Sequence, residues 1–234
     1  MVDLPGVYIE LLKNNVAFYN ALSESARIRF EQRLQRFLAS VRITGVKTTV
    51  EDLDRVLIGA SAIIPIFSFP DWEYTNLHEV LLYPDIFSEG FEQTGEGRNV
   101  MGMVGNGPMQ HIMILSKGAL REGFSNKTGK GNTAIHEFVH LIDKTDGDVD
   151  GVPGILLQHK YVLPWINMMH KNIQEIINNQ SDINPYASVN QAEFFAVVAE
   201  YFFERPDLLE KKHPDLYSML SQIFKQDGHV KDEI

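Results

Sequence analysis

Two histidines four residues apart, His136 and His140, bracket Glu137, Phe138 and Val139 in a segment that is otherwise apolar. On a helix that separation is one turn, so both imidazoles share a face. Glu137 is turned about 100° from His136 and stands beside that face rather than on it. Ile135, Phe138, Val139, Leu141 and Ile142 fill the remaining directions, which leaves the helix no side to give to water. Three polar side chains carried into an apolar interior must all be satisfied, and one shared metal ion does this. An amphipathic helix with two surface histidines would need polar residues where this one has Phe and Val. Asn132 or Thr133 stands where an N-cap is required.

A catalytic zinc takes three protein ligands and leaves one position for water. The chain has no cysteine, so the ligands must be histidines and carboxylates. Asp146 would supply the third through a sharp turn just after the helix, but that turn favours glycine three residues past the second histidine, where Asp143 stands. Glu193 is the other candidate, an acid set in the apolar run from Ala192 to Ala199. A solvated face shared with Glu200 and Glu204 is the competing account of it, so the residues alone leave both candidates open. His78, His111, His159 and His170 show no ligand spacing and read as ordinary hydrogen-bonded or surface residues. Gly95, Gly97, Gly102, Gly105 and Gly107 lack the GxGxxG and Gly-Lys-Ser/Thr patterns of phosphate loops and read as turns without functional meaning.

The chain has 234 residues, 44% of them hydrophobic, enough for one well-packed domain over residues 1–234. Its formal charge of −10 repels phosphate backbones and anionic lipid, which argues against nucleic-acid and membrane-surface partners. The longest apolar run, Val56 to Phe69, is broken by Gly59, Ser61, Pro65 and Ser68 and reads as buried core. Together with the missing cysteines, this predicts a cytoplasmic protein. Helical periodicity marks a region up to about residue 66, with helices within Tyr8–Leu38 divided near Ser23 and Ser25. Another starts at Thr48 or Thr49, with Glu51 and Asp52 in its first turn, and runs to about Ile64, where Pro65 stops it. A small sheet is expected over about 77–117, from Glu79–Tyr83, Asn99–Val104 and His111–Ser116. Helices follow over about 132–225: Thr133–Lys144, Leu163–Asn178, Val189–Glu204 and His213–Phe224. The fold class is α+β, mainly helical.

Several stretches together resemble the Mlc titration factor A family of zinc peptidases. They are His136 to Asp143, Asp150-Gly151-Val152-Pro153, Pro185-Tyr186-Ala187, Ala192 to Val197 and Glu200 to Phe203, with looser matches at Leu81-Tyr83-Pro84 and Leu115-Ser116. The likeness covers nearly the whole chain. The spacing from Tyr186 to Glu193 is also similar to that in the catalytic domain of anthrax lethal factor. The resemblance implies a zincin-like fold, one zinc ion held by His136, His140 and Glu193, Glu137 as general base, and Tyr186 facing the substrate oxyanion. It further implies peptidase or aminopeptidase activity on a peptide or protein and, as in enterobacterial members, binding to a glucose-responsive transcriptional repressor. One departure is Val197, where related peptidases often place an acid that orients a ligand histidine. Asp143, one turn after His140, either takes over that duty or is an ordinary helix-terminal acid.

The expected chemistry is hydrolysis: zinc acidifies a water, Glu137 takes its proton, and Tyr186 helps to stabilise the oxyanion. The strand His111–Ser116 is either an edge that pairs with an extended substrate or a core strand. The rival class is a binding module that sequesters a regulator and uses zinc for shape. A structural zinc asks for four protein ligands, and only three are identified.

Overall fold

The computed structural model describes residues 4–88, 100–105, 107–126 and 128–226. Three helices open it: α1 (Gly6–Asn15), α2 (Ala17–Ala21) and α3 (Glu24–Ser40). Ser23 makes the division expected of it, accepting the Ala26 N–H to cap α3. β1 (Arg42–Gly45) follows, then α4 (Asp52–Ile66), started by a reciprocal cap between Glu51 and Asp54. Pro65 does not stop α4 at Ile64; it sits in the last turn, one residue from the end. Beyond it the chain is held by the buried Arg33, which donates to the carbonyls of Ile66, Phe67 and Trp72.

Among the described residues the sheet holds four strands in the order β1-β2-β4-β3, with β2 at Glu79–Tyr83, β3 at Gly102–Val104 and β4 at Ile112–Ser116. β1, β2 and β4 run parallel, and β3 is antiparallel to β4. Of the two alternatives for the strand ending at Ser116, the core strand holds: it lies inside the sheet, and β3 forms one edge. Of the expected strand Asn99–Val104, only Gly102–Val104 is regular, preceded by an isolated bridge between Phe87 and Val100. Asn99, Gly95 and Gly97 lie outside the described residues.

Ser116 caps α5 (Lys117–Ser125), which the sequence reading did not anticipate. α6 (Thr133–Asp143) carries the histidines, with Asn132 as N-cap accepting from the Ile135 N–H. α7 (His159–Ile177) starts a turn earlier than expected, taking Pro164 into its body. A short 3-10 turn at Pro185–Ser188 leads to α8 (Gln191–Glu204), then α9 (Pro206–Lys212) and α10 (Pro214–Phe224). The architecture is α+β and mainly helical, and among the described residues no helix is long and apolar enough to cross a membrane.

α4 is buried along almost its whole length and packs against α3 and α6. Phe138, on the side of α6 away from the histidines, meets Phe37 and Tyr74 at ring separations of 5.7 and 5.1 Å. α8 packs on α6 and is fixed from behind by Trp165 of α7, whose ring lies about 6 Å from both Phe194 and Phe195. Two buried helices with aromatic backing thus present one polar seam to each other.

Candidate metal centre

α6 and α8 each start at an asparagine cap and bring polar side chains to that seam, His136 and Glu193 from within four residues of the cap. Asn190 accepts the Glu193 N–H at 2.8 Å and fixes the first turn of α8. His136 Nε2 lies 3.0 Å from His140 Nε2 and 3.0 Å from Glu193 Oε2, and the His140–Glu193 distance is 3.4 Å. Three donors about 2.0–2.1 Å from one tetrahedral ion would stand about 3.3–3.4 Å apart, so this spacing fits an ion at their centre. Two imidazole nitrogens and a carboxylate oxygen also match the chemistry of zinc or a similar divalent metal. Among the described residues, His136, His140 and Glu193 are the group of acids and histidines able to converge on a metal.

Glu137 lies next to this group without belonging to it, buried at 6% exposure. Burial raises the pKa of its carboxyl, opposed by His136 and His140. Glu193 moves the other way. Burial raises its pKa, but hydrogen bonds from His136 and His140 outweigh this and hold the carboxyl below its usual range. Two adjacent carboxylates are thus driven apart in character, one kept ready to take a proton and one kept charged.

Tyr186, on the 3-10 turn, faces the seam with its ring 6.1 Å from that of His136 and is half exposed. Asn184 accepts its backbone N–H and fixes the turn. Burial and the carboxylates of Glu193 and Glu137 raise the phenol pKa, so the hydroxyl stays a donor.

Asp146 is not in the group. The chain continues past α6 in a 3-10 turn, and Asp146 Oδ2 accepts the Gly154 N–H at 3.0 Å. Asp143 is the last residue of α6, and no hydrogen bond joins its side chain to His140. Fully buried, it accepts the Gly151 N–H at 2.8 Å, and burial raises its pKa to about 7. Trp165 Nε1 donates to the Gly151 carbonyl at 2.7 Å, so Asp143 and Trp165 together pin the loop after α6. His78 and His111 stack on each other at 4.4 Å, and the His111 ring meets Gln110 and the Asn76 carbonyl, away from the metal group as expected.

The residue that sequence reading missed is Glu200. Its Oε1 lies 2.6 Å from His136 Nδ1, and Oε2 accepts the backbone N–H of Asn132. It therefore fixes the ring whose other nitrogen faces the metal group. Asn132 also donates through Nδ2 to Glu204 at 2.9 Å, tying the start of α6 to the far end of α8. The signal was spacing: Glu200 is seven residues after Glu193, two turns along the same face. Val197, at the nearer turn, belongs to the core.

An uncharacterized protein of Synechocystis sp. is 28% identical over 234 residues, spanning 94% of this chain and 84% of that protein. Mlc titration factor A of Pectobacterium atrosepticum is 29% identical over 223 residues, 88% of this chain and 81% of the relative. The Escherichia coli protein of the same name is 28% identical over 230 residues, 91% of this chain and 84% of the relative. The profile of the glucose-regulated metallo-peptidase M90 family matches residues 2–225, a span that takes in β3, α6, the Tyr186 turn and α8 together, and the chain belongs to that family.

Proposed function

We infer that this protein is a zinc-dependent peptide hydrolase, with His136, His140 and Glu193 as ligands, Glu137 as general base and Tyr186 as oxyanion donor. The observation that carries the reading is Glu137, a buried carboxylate of raised pKa next to a three-ligand group and outside it. A structural site would have spent that acid as a fourth ligand. When bound, the zinc ion supplies the Lewis acidity that brings the pKa of water to around 7 and polarises a carbonyl. Glu137 accepts the proton of the attacking water and passes it to the departing amine. The Tyr186 hydroxyl donates to the oxygen on which charge develops, a contact whose loss costs about 10²–10³ in rate. Glu200 holds the Nδ1 side of His136 so that Nε2 keeps facing the ligand group. β3 supports an extended peptide as substrate, because an edge strand beside Glu137 offers backbone groups for pairing.

The test compares zinc content and hydrolysis of a peptide panel, aminopeptidase substrates included. Wild type should bind about one zinc and cleave, Glu137→Gln should keep zinc and lose cleavage, and His136→Ala should lose both. Full activity in Glu137→Gln would refute the assignment of the base.

A second reading, capture of a transcriptional repressor, is favoured by the relatives named Mlc titration factor A, matched over four-fifths or more of their length. Binding and hydrolysis separate cleanly: if repressor binding is an independent function, Glu137→Gln should still bind it in a pull-down with purified repressor. A cytoplasmic location accords with the absence of cysteine.

A further inference from the structure

The edge strand β3 packs against α6, and a tight approach falls at Gly102. A β-carbon built there would lie 2.7 Å from both Cγ and Oε1 of Glu137 and 3.0 Å from its Cδ. Non-bonded heavy atoms prefer about 3.5–4.0 Å, so any side chain at this position would push the Glu137 carboxylate out of its place. Glu137 cannot swing aside into water, since it is 6% exposed on a buried helix.

Gly102 lacks the usual reasons for being glycine. It sits in a regular strand, paired with Leu115 of β4, and is not among the glycines of positive φ. Glycine inside a strand is a poor choice on its own account, having backbone entropy to lose and no side chain to pack. What explains it is the carboxylate lying against the strand backbone.

We propose that Gly102 is a positioning residue for Glu137: the edge strand is bare at this one point so that the carboxylate can lie against it next to the ligand group. The proposal rests on Glu137 acting as the general base. It also gives the glycines between β2 and β4 an unequal meaning. Gly107 serves a turn with φ +55°, whereas Gly102 serves the site.

A double-mutant cycle tests it with two readouts. The first is thermal unfolding with metal removed by chelation. Gly102→Ala should lower Tm by about 3–8 °C when Glu137 is present, the cost of overpacking. In the Glu137→Ala background the same substitution should leave Tm unchanged or raise it, because the obstruction is gone and alanine has less entropy to lose. Equal losses in both backgrounds would overturn the proposal. The double variant also covers the case in which Gly102→Ala alone fails to fold, since rescue by Glu137→Ala is itself the expected coupling.

The second readout is steady-state kinetics at full zinc occupancy. Gly102→Ala should lower kcat by about 10²-fold, as a displacement near 1 Å costs a reacting group, with KM and zinc content within twofold of wild type. An unchanged kcat would sink the positioning role while leaving the peptidase reading in place. A wild type that cleaves nothing would sink the peptidase reading, and the unfolding cycle would still decide whether Gly102 makes room for Glu137.

Discussion

Glu200 shows how much one side chain can settle at a site it does not complete. One of its oxygens faces His136 Nδ1 and the other accepts the Asn132 N–H, so both must act as acceptors. An amide cannot do this, because one of its two ends is a donor. Glu200→Gln should therefore weaken zinc binding by about 10–100-fold, the usual cost of losing such a partner, with the far-UV spectrum unchanged. Competition titration with a chromophoric chelator checks it, and an affinity equal to wild type would remove Glu200 from the site. His136, Glu137 and His140 stand out by spacing because H-E-x-x-H lies within two turns of one helix, whereas Glu193 is preferred to Asp146 only through the family resemblance. Glu200 and Gly102 do not stand out, since each acts through a contact across elements, with residues 64 and 35 positions away. Local spacing carries no signal for such contacts.

Among the elements, the long helices were legible and the short ones were not. α3, α4, α6 and α8 each turn a broad apolar face to the core, and their periodicity repeats over three turns or more. β1 has four residues and only one of them buried, too few to show alternation. α5 holds Gly118 and Gly123, which read as breakers in a sequence. Gly123 leaves room for the Asn132 side chain, hence for the cap of α6. The sequence left the strand ending at Ser116 open between edge and core because strand order depends on crossovers, which no strand records in its own residues. At this scale the junction between the loop after α6 and the start of α8 makes a firm prediction. Gly151 has φ +78°, and a β-carbon there would lie 2.3 Å from the Gln191 carbonyl oxygen. Gly151→Ala should cost about 2–5 kcal/mol of stability and weaken zinc binding by shifting the turn that carries Glu193. Denaturant unfolding and chelator competition on the same sample would check both effects.

Across the whole molecule, Asp182 gathers distant pieces of the chain at one carboxylate. Lys130 from the segment before α6, Tyr201 of α8, Lys212 of α9 and His213 between α9 and α10 all reach it. Burial raises its pKa, but the hydrogen bonds from Lys130, Lys212, His213 and Tyr201 outweigh this and hold it below the usual carboxylate range. A depressed folded-state pKa gives stability that is present above the unfolded value of about 3.9 and is lost as pH falls through the folded value. Asp182→Asn should therefore lower stability by about 1–3 kcal/mol at pH 7 and flatten its decline below pH 4. Thermal unfolding from pH 2 to 7 measures both, and parallel curves for variant and wild type would exclude Asp182 as the source.

The seam between α6 and α8 also has a consequence in time. Its contacts from His136 to Glu193 and to Glu200 join residues 57 and 64 positions apart, and the parallel pairing of β1 with β2 closes a loop that contains the whole of α4. Contacts of such long range form late and slowly in folding. A chain made from its N-terminus has released β3 and α6 well before α8 follows, so the two histidines wait for their third partner until most of the core is in place. The group able to hold a metal is therefore finished only as the fold closes, and it cannot be complete on a half-made chain.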